Sequence, residues 1–287
     1  MNFKRPINLI KRIINNRYLL LFVNGILLTS SFYFLTESRY ERELFVAISR
    51  NIKEELPAKH NNFDFIAKAL QTTSKLQDNR FQVFGDQQIE GIKANIFHPS
   101  TIDLMTNNGA CGSYVTVLSR ILKSNNIHVR IGQMKVNGYY GGHMIVEAKV
   151  DGKWVVLDPT YTLHFINADG SWATFKQVQS NWNYYKNQVP ANYNMDYSFE
   201  DIRYTNWNKI PVITPAIKST LNVLLGKEKA DTISIRPYLL RNYNLLAWAS
   251  FIVWLLSSLQ LLKVYKQRRS TIKQLNDVDA EVRFKVS

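Results

Sequence analysis

An α+β domain carried between two membrane-spanning helices is the fold class that the sequence predicts. Two uncharged runs of 19 residues, Tyr18–Thr36 and Asn244–Leu262, each lie beside a basic tail. Between them, a helical pattern beginning at Cys111 is followed by alternating segments that read as antiparallel strands. The resulting plan has a basic tail over 1–17, a span over 18–36 and a domain over 37–242 with its core at 101–165. A second span over 243–263 and a second basic tail over 264–287 complete it.

At 1.5 Å per residue each apolar run covers about 28 Å, close to the thickness of a hydrocarbon core. Tyr18, Tyr33, Tyr243 and Tyr265 lie near the ends of the runs, where interfacial aromatics belong. Lys4, Arg5, Lys11, Arg12 and Arg17 stand without an acid in the first tail. Lys263, Lys266, Arg268, Arg269, Lys273, Arg283 and Lys285 outnumber Asp277, Asp279 and Glu281 in the last. The tails therefore hold most of the formal net charge of +14, which points to a lipid bilayer as partner and away from nucleic acid. The excess of Lys and Arg places both tails in the cytoplasm and the domain outside it, in the periplasm if the source is bacterial. A cleaved signal peptide fits the first run less well, because its apolar part is long and no small-x-small site precedes Glu37-Ser38-Arg39. A buried core helix fits the second less well, given the basic flank Lys263–Arg269.

Within the domain, Leu44, Ile48, Ile52 and Leu56 recur at four-residue spacing and predict a helix over 37–56, ended by Pro57. Phe63, Ile66, Ala67 and Leu70 predict a second helix over 63–76. Residues 77–96 are ambiguous between strand and helix. Cys111 opens the strongest helical pattern, with Asn107 and Asn108 as candidate N-caps and Val115, Leu118, Ile121 and Leu122 as the apolar stripe. Arg120 and Lys123 fall where a helix C-terminus favours cations. Residues 127–134 alternate as a half-buried strand, and 143–157 read as a hairpin turning at Asp151-Gly152. Residues 174–185 and 218–225 give weaker helical patterns, and the aromatic-polar segment 181–207 reads as loop rather than as the wall of a cleft.

Cys111 is the only cysteine, so it forms no disulfide within the chain. A thiol in the first turn of a helix meets the positive end of the dipole and unpaired N–H groups, which favour the thiolate. Its own backbone N–H is a candidate oxyanion donor, and Gly109 and Gly112 keep the nearby backbone approachable. A two-residue turn at Asp151-Gly152 pairs Val150 with Lys153, which puts Asp158 opposite Ile145 and diagonal to His143. Thiol, imidazole and carboxylate then form a nucleophile, a general base and an orienting acid. The competing readings are a buried structural cysteine, a packed core histidine and an aspartate that caps the Asp-Pro turn. His60, His98, His128 and His164 lack comparable partners and read as structural or exposed. The ligand types Cys, His and Asp would suit zinc, but the usual ligand spacing is missing, and no metal or cofactor is expected.

Gly109-Ala110-Cys111-Gly112-Ser113-Tyr114, Asn126–Arg130, Gly142-His143 and Gly152–Thr160 together resemble the transglutaminase-like superfamily. The resemblance implies a papain-like core, in which a Cys-bearing helix packs on an antiparallel sheet. It also implies a Cys-His-Asp triad that falls on Cys111, His143 and Asp158. Met144-Ile145 stands where the family often has Ala-Trp. Gln77, Gln82, Gln87 and Gln88 compete for the role of second oxyanion donor, and no acidic loop suggests a calcium site. The expected function is acyl transfer on a peptide or protein substrate, with hydrolysis of a peptide or amide bond favoured over cross-linking. A non-catalytic membrane module binding peptide or glycan, and an assembly factor in envelope polysaccharide or peptide processing, are the alternatives. The sequence sets no oligomeric state.

Overall fold

The computed structural model describes residues 16–85, 87, 90–91, 93–106, 111–207, 213–235 and 242–286. The expected basic residues Lys4 to Arg12, the N-cap candidates Asn107 and Asn108, and Gly109 lie outside these. The chain divides into two compact units, one made of 1–39 and 243–287 and the other of 40–242.

The first unit is helical. Helix α1, Arg17–Glu54, joins what the sequence suggested as a span and a separate helix, because no Pro or Gly interrupts the chain at Glu37–Arg39. Only its first part belongs to this unit. The long carboxy-terminal helix, Tyr243–Val286, supplies the rest. Both helices are long and apolar enough to cross a membrane, and only 11% and 6% of their most apolar stretches are buried. A core helix would be mostly buried. Asn24 and Ser31 are buried polar residues on α1, and Asn24 donates from Nδ2 to Ser257 Oγ at 2.9 Å and accepts from Ser258 Oγ at 2.6 Å. Bonds of this kind tie apolar helices together where hydrophobic burial offers little selectivity.

The second unit is α+β. Helix α2, Asn62–Phe84, begins with a capping box in which Asn61 and Asp64 exchange backbone N–H bonds at 2.9 Å each way. It runs beyond the predicted 63–76, and Phe81 and Val83 are exposed on its last turns rather than paired in a strand. A π turn, Lys93–Phe97, leads to α3, Ser100–Thr106, and then to α4, Cys111–Ser124. Val115, Val117, Leu118, Ile121 and Leu122 of α4 are buried, and full burial stabilises by roughly 1.5–3 kcal/mol per large side chain.

The sheet is a five-stranded antiparallel array in the order β4-β3-β2-β1-β5. Its strands are β1 Val129–Val136, β2 Tyr139–Val150, β3 Lys153–Asp158, β4 Leu163–His164 and β5 Ile202–Arg203. Val150 pairs with Lys153 and Val146 with Leu157, the register a two-residue turn dictates. Asp151 and Gly152 both adopt positive φ, as that turn requires. A second tight turn at Asn137-Gly138 (φ 50° and 84°) joins β1 to β2 and extends the predicted hairpin to a meander. Between Met134↔His143 and Lys135↔Tyr140, Gly141 and Gly142 are left over on β2 as a bulge immediately before His143. A side chain at Gly142 would sit 2.8 Å from Val136 Cβ, so the bulge is packed as well as bent.

Period two sorts the strands onto two cores. Val146, Ala148, Val150, Val155 and Leu157 pack with α2 and α4, while Ile145 and Val156 face Phe165, Phe175, Tyr193 and Phe199. The second face is covered by short helices α5 Phe175–Ser180 and α6 Trp182–Tyr185, a 3-10 turn Lys186–Gln188 and connecting chain. Helices α7 Ile213–Leu225, stopped at Gly226 (φ 82°), and α8 Lys227–Asp231 follow β5.

Candidate active site

Three elements converge on the candidate site. Cys111 is the first residue of α4 and is half-buried, His143 sits just past the β2 bulge, and Asp158 ends β3. His143 and Asp158 are each 1% exposed, and the ring Nε2–H donates to Asp158 Oδ2 at 2.6 Å. The diagonal pairing that the hairpin register implies is therefore present. Asp158 also accepts the backbone N–H of Thr160 at Oδ1, 3.1 Å away, so it serves both the ring and its own turn. That turn is pinned to α2, where Ser74 Oγ donates to Pro159 O at 2.9 Å and accepts from Thr162 Oγ1 at 2.5 Å.

Cys111 shares a side-chain hydrogen bond with the same ring. With Nε2 held by Asp158, Nδ1 is the nitrogen that remains for the thiol. The electrostatics follow from these contacts. Burial pushes the imidazole down, but the charge and hydrogen bond of Asp158, with the hydrogen bond and charge of Cys111, outweigh it and lift His143 to about 9. The ring thus keeps its proton at neutral pH.

The Cys111 N–H belongs to the first turn of α4 as described, Cys111–Ser124, and first-turn N–H groups are the ones suited to receive an oxyanion. Gln77 is fully buried and donates from Nε2 to the Asp103 carbonyl at 3.2 Å, while Gln82 and Gln87 are exposed. Gln88 lies outside the described residues. Gly112 differs from expectation: it is buried, and an added Cβ would lie 3.0 Å from Met144 Cε. A side chain there would press on the end of Met144 from β2. Arg120 also differs, since its Nε donates to Ser100 Oγ at 2.9 Å and its guanidinium lies 3.9 Å from Glu41. It ties α4 to α3 and α1 instead of serving the dipole alone. The expectation that His98 lacks an acidic partner is corrected too: its Nε2 lies 3.3 Å from the buried Asp103 Oδ1, which also accepts from Ser113 Oγ at 2.8 Å. This cluster holds the chain on either side of the Cys111 turn. His164 stacks on Trp172, and His60 bonds the Pro57 carbonyl. Among the described residues, no group of three His, Cys, Asp or Glu side chains is arranged to hold a metal ion.

Sequence reasoning missed the aromatic cover of the site. The Tyr197 ring lies parallel to His143, with centroids 4.2 Å apart and planes 7° apart. Tyr161 stands at 6.1 Å from the same ring, and Tyr193 packs on Tyr161 at 4.6 Å. Residues 181–207 are mostly loop, as read, yet they also wall the site. The density of Tyr and Trp in that segment was the available signal.

A family model described as transglutaminase-like domain matches residues 44–189, just over half of the chain, and the chain belongs to that family. No curated protein and no solved structure matches it.

Proposed function

We propose that the protein is a membrane-anchored, cysteine-dependent acyl-transfer enzyme in which Cys111, His143 and Asp158 act as nucleophile, acid–base and orienting carboxylate. The observation that carries this reading is the buried His143–Asp158 pair with the half-buried thiol hydrogen-bonded to the same ring. Family membership adds to it, since transglutaminase-like domains are generally cysteine-dependent enzymes.

The Cys111 thiolate attacks the carbonyl carbon of an amide or ester, and first-turn N–H groups, that of Cys111 among them, receive the oxyanion. The His143 imidazolium gives its proton to the departing amine or alcohol as the acyl-enzyme forms. It then takes a proton from the second nucleophile, which attacks the thioester and releases Cys111. Water as that nucleophile gives hydrolysis and an amine gives cross-linking; hydrolysis of a peptide or amide is the reading carried forward. Asp158 fixes the tautomer and orientation of the ring throughout. The two apolar helices hold the domain at a bilayer, with both ends of the chain cytoplasmic and residues 40–242 on the other side.

Because the chain has one cysteine, alkylation reports on this thiol alone. Iodoacetamide should modify Cys111 faster at neutral pH than it modifies a free thiol, and His143→Ala should remove the advantage. Equal rates in the unmodified protein would replace the enzyme with a binding module of the same fold. Protease added outside intact cells should cut within 60–230 and spare both ends; cleavage of the tails would reverse the topology.

A further inference from the structure

The segment from Trp182 to Arg203 contributes no triad residue, yet it is bolted down around one ring. Tyr193 Oη donates to the Tyr197 carbonyl at 3.2 Å, and the Tyr197 N–H closes a turn on Asn194 O at 3.0 Å. Two residues on, Phe199 takes a positive φ of 57° and is fully buried among Phe165, Phe175 and Trp182. Gln179 then clamps the Glu200 carbonyl. A non-glycine residue keeps such a backbone conformation only where its surroundings hold it there. These contacts define where Tyr197 stands, and it stands parallel to the imidazole of His143.

We infer that Tyr197 is a positioning residue, whose stacked ring holds the plane of His143 so that one edge meets Asp158 and the other meets Cys111. An imidazole suspended by two in-plane hydrogen bonds is still free to tilt about the axis between them. A flat ring against its face removes that freedom, and a π face also attracts the protonated form. The same ring keeps water from the face of the Asp158 hydrogen bond, where water would screen the pair. This inference rests on the triad reading above, but it has a readout of its own.

The groups facing His143 are Asp158 from β3, Cys111 from α4, Tyr161 from the turn after β3, and Tyr197 from this segment, with Tyr193 packed against the two tyrosines. Tyr193 is pushed well above the ordinary tyrosine range, by burial first and then by the charge of Asp158. Burial likewise raises Tyr161, so both stay neutral where the histidine titrates. Loss of the cover weakens the burial penalty and the attraction of Asp158 and Cys111 together. Their net effect is upward, so water entry moves His143 down from about 9 toward 6.5.

The test uses the full chain in detergent micelles, with ¹³C-labelled histidine titrated by NMR and His143 assigned through His143→Gln. Tyr197→Phe keeps the stack and should leave the midpoint in place. Tyr197→Leu keeps an apolar cover without a flat face and should lower the midpoint by about one pH unit, a tenfold change in protonation equilibrium. In parallel, the ratio of Cys111 alkylation rates at pH 6 and pH 9.5 should fall several-fold in Tyr197→Leu and stay within twofold in Tyr197→Phe. A Tyr197→Leu titration superimposed on that of the unmodified protein overturns the inference. An ordinary thiol in the unmodified protein overturns the enzyme reading instead, and the NMR arm still decides the role of Tyr197.

Discussion

The helical unit and the α+β unit use apolar residues in opposite ways. In the first, Phe22, Trp248 and Leu256 are 66%, 60% and 61% exposed, while the polar Asn24 is 8% exposed and bonded to Ser257 and Ser258. In the second, Leu118, Ile121 and Phe199 are fully buried, and several of the polar groups inside are paired with one another. Arg130 and Glu147 illustrate the second case. They pair at 2.6 Å between Trp154 and Tyr204, and the Tyr204 hydroxyl donates to the same carboxylate. The contrast is in where apolar side chains end up: in the α+β unit they form a core by exclusion from water, whereas the two long helices leave most of theirs on the outside.

The largest effect expected in either unit comes from a half-buried atom rather than a core residue. Cys111→Ala should lower turnover at least about a thousandfold while leaving the thermal midpoint nearly unchanged. His143→Ala should approach that loss, and Asp158→Asn should lose less because it leaves a hydrogen-bonding partner; equal losses in steady-state rates would contradict the roles. Next, Leu118→Ala should destabilise the domain by about 2–5 kcal/mol in urea unfolding. The matching change Leu256→Ala, in lipid, should cost well under 1 kcal/mol. If the two costs were alike, the helical unit would be packing like a water-soluble core.

A pH effect follows in size. The folded-state value of His143 is raised above the 6.5 of an unfolded histidine, so its stabilisation is complete below about 6.5 and is lost as pH climbs through about 9. Unfolding free energy should fall across that window by at most on the order of 3 kcal/mol, and His143→Gln should flatten the slope. The smallest effect belongs to the helical unit: Asn24→Leu should weaken helix association by roughly 0.6–1.7 kcal/mol, measured by unfolding in bicelles.

Much of this molecule is legible locally. The uncharged runs at Tyr18 and Asn244, the stripe of Val115, Leu118, Ile121 and Leu122, and the Asp151-Gly152 turn each follow from neighbouring residues. The turn carries furthest, because one two-residue connection sets the register that brings Asp158 beside His143. The second turn at Asn137-Gly138 was equally readable, but Gly141-Gly142 interrupts the alternation after it and hides the start of β2.

Local pattern therefore determined helix α4, the β2–β3 hairpin, the two apolar runs and the chemical identities at the site: a thiol, an imidazole and a carboxylate. Tertiary structure alone decided that Tyr197 lies on His143, that Asp103 holds both His98 and Ser113, and that Gly112 lies against Met144. The physical reason is distance along the chain. Helical and strand periods are set by backbone geometry over a few residues, whereas a ring meeting another 54 positions earlier depends on how whole layers pack.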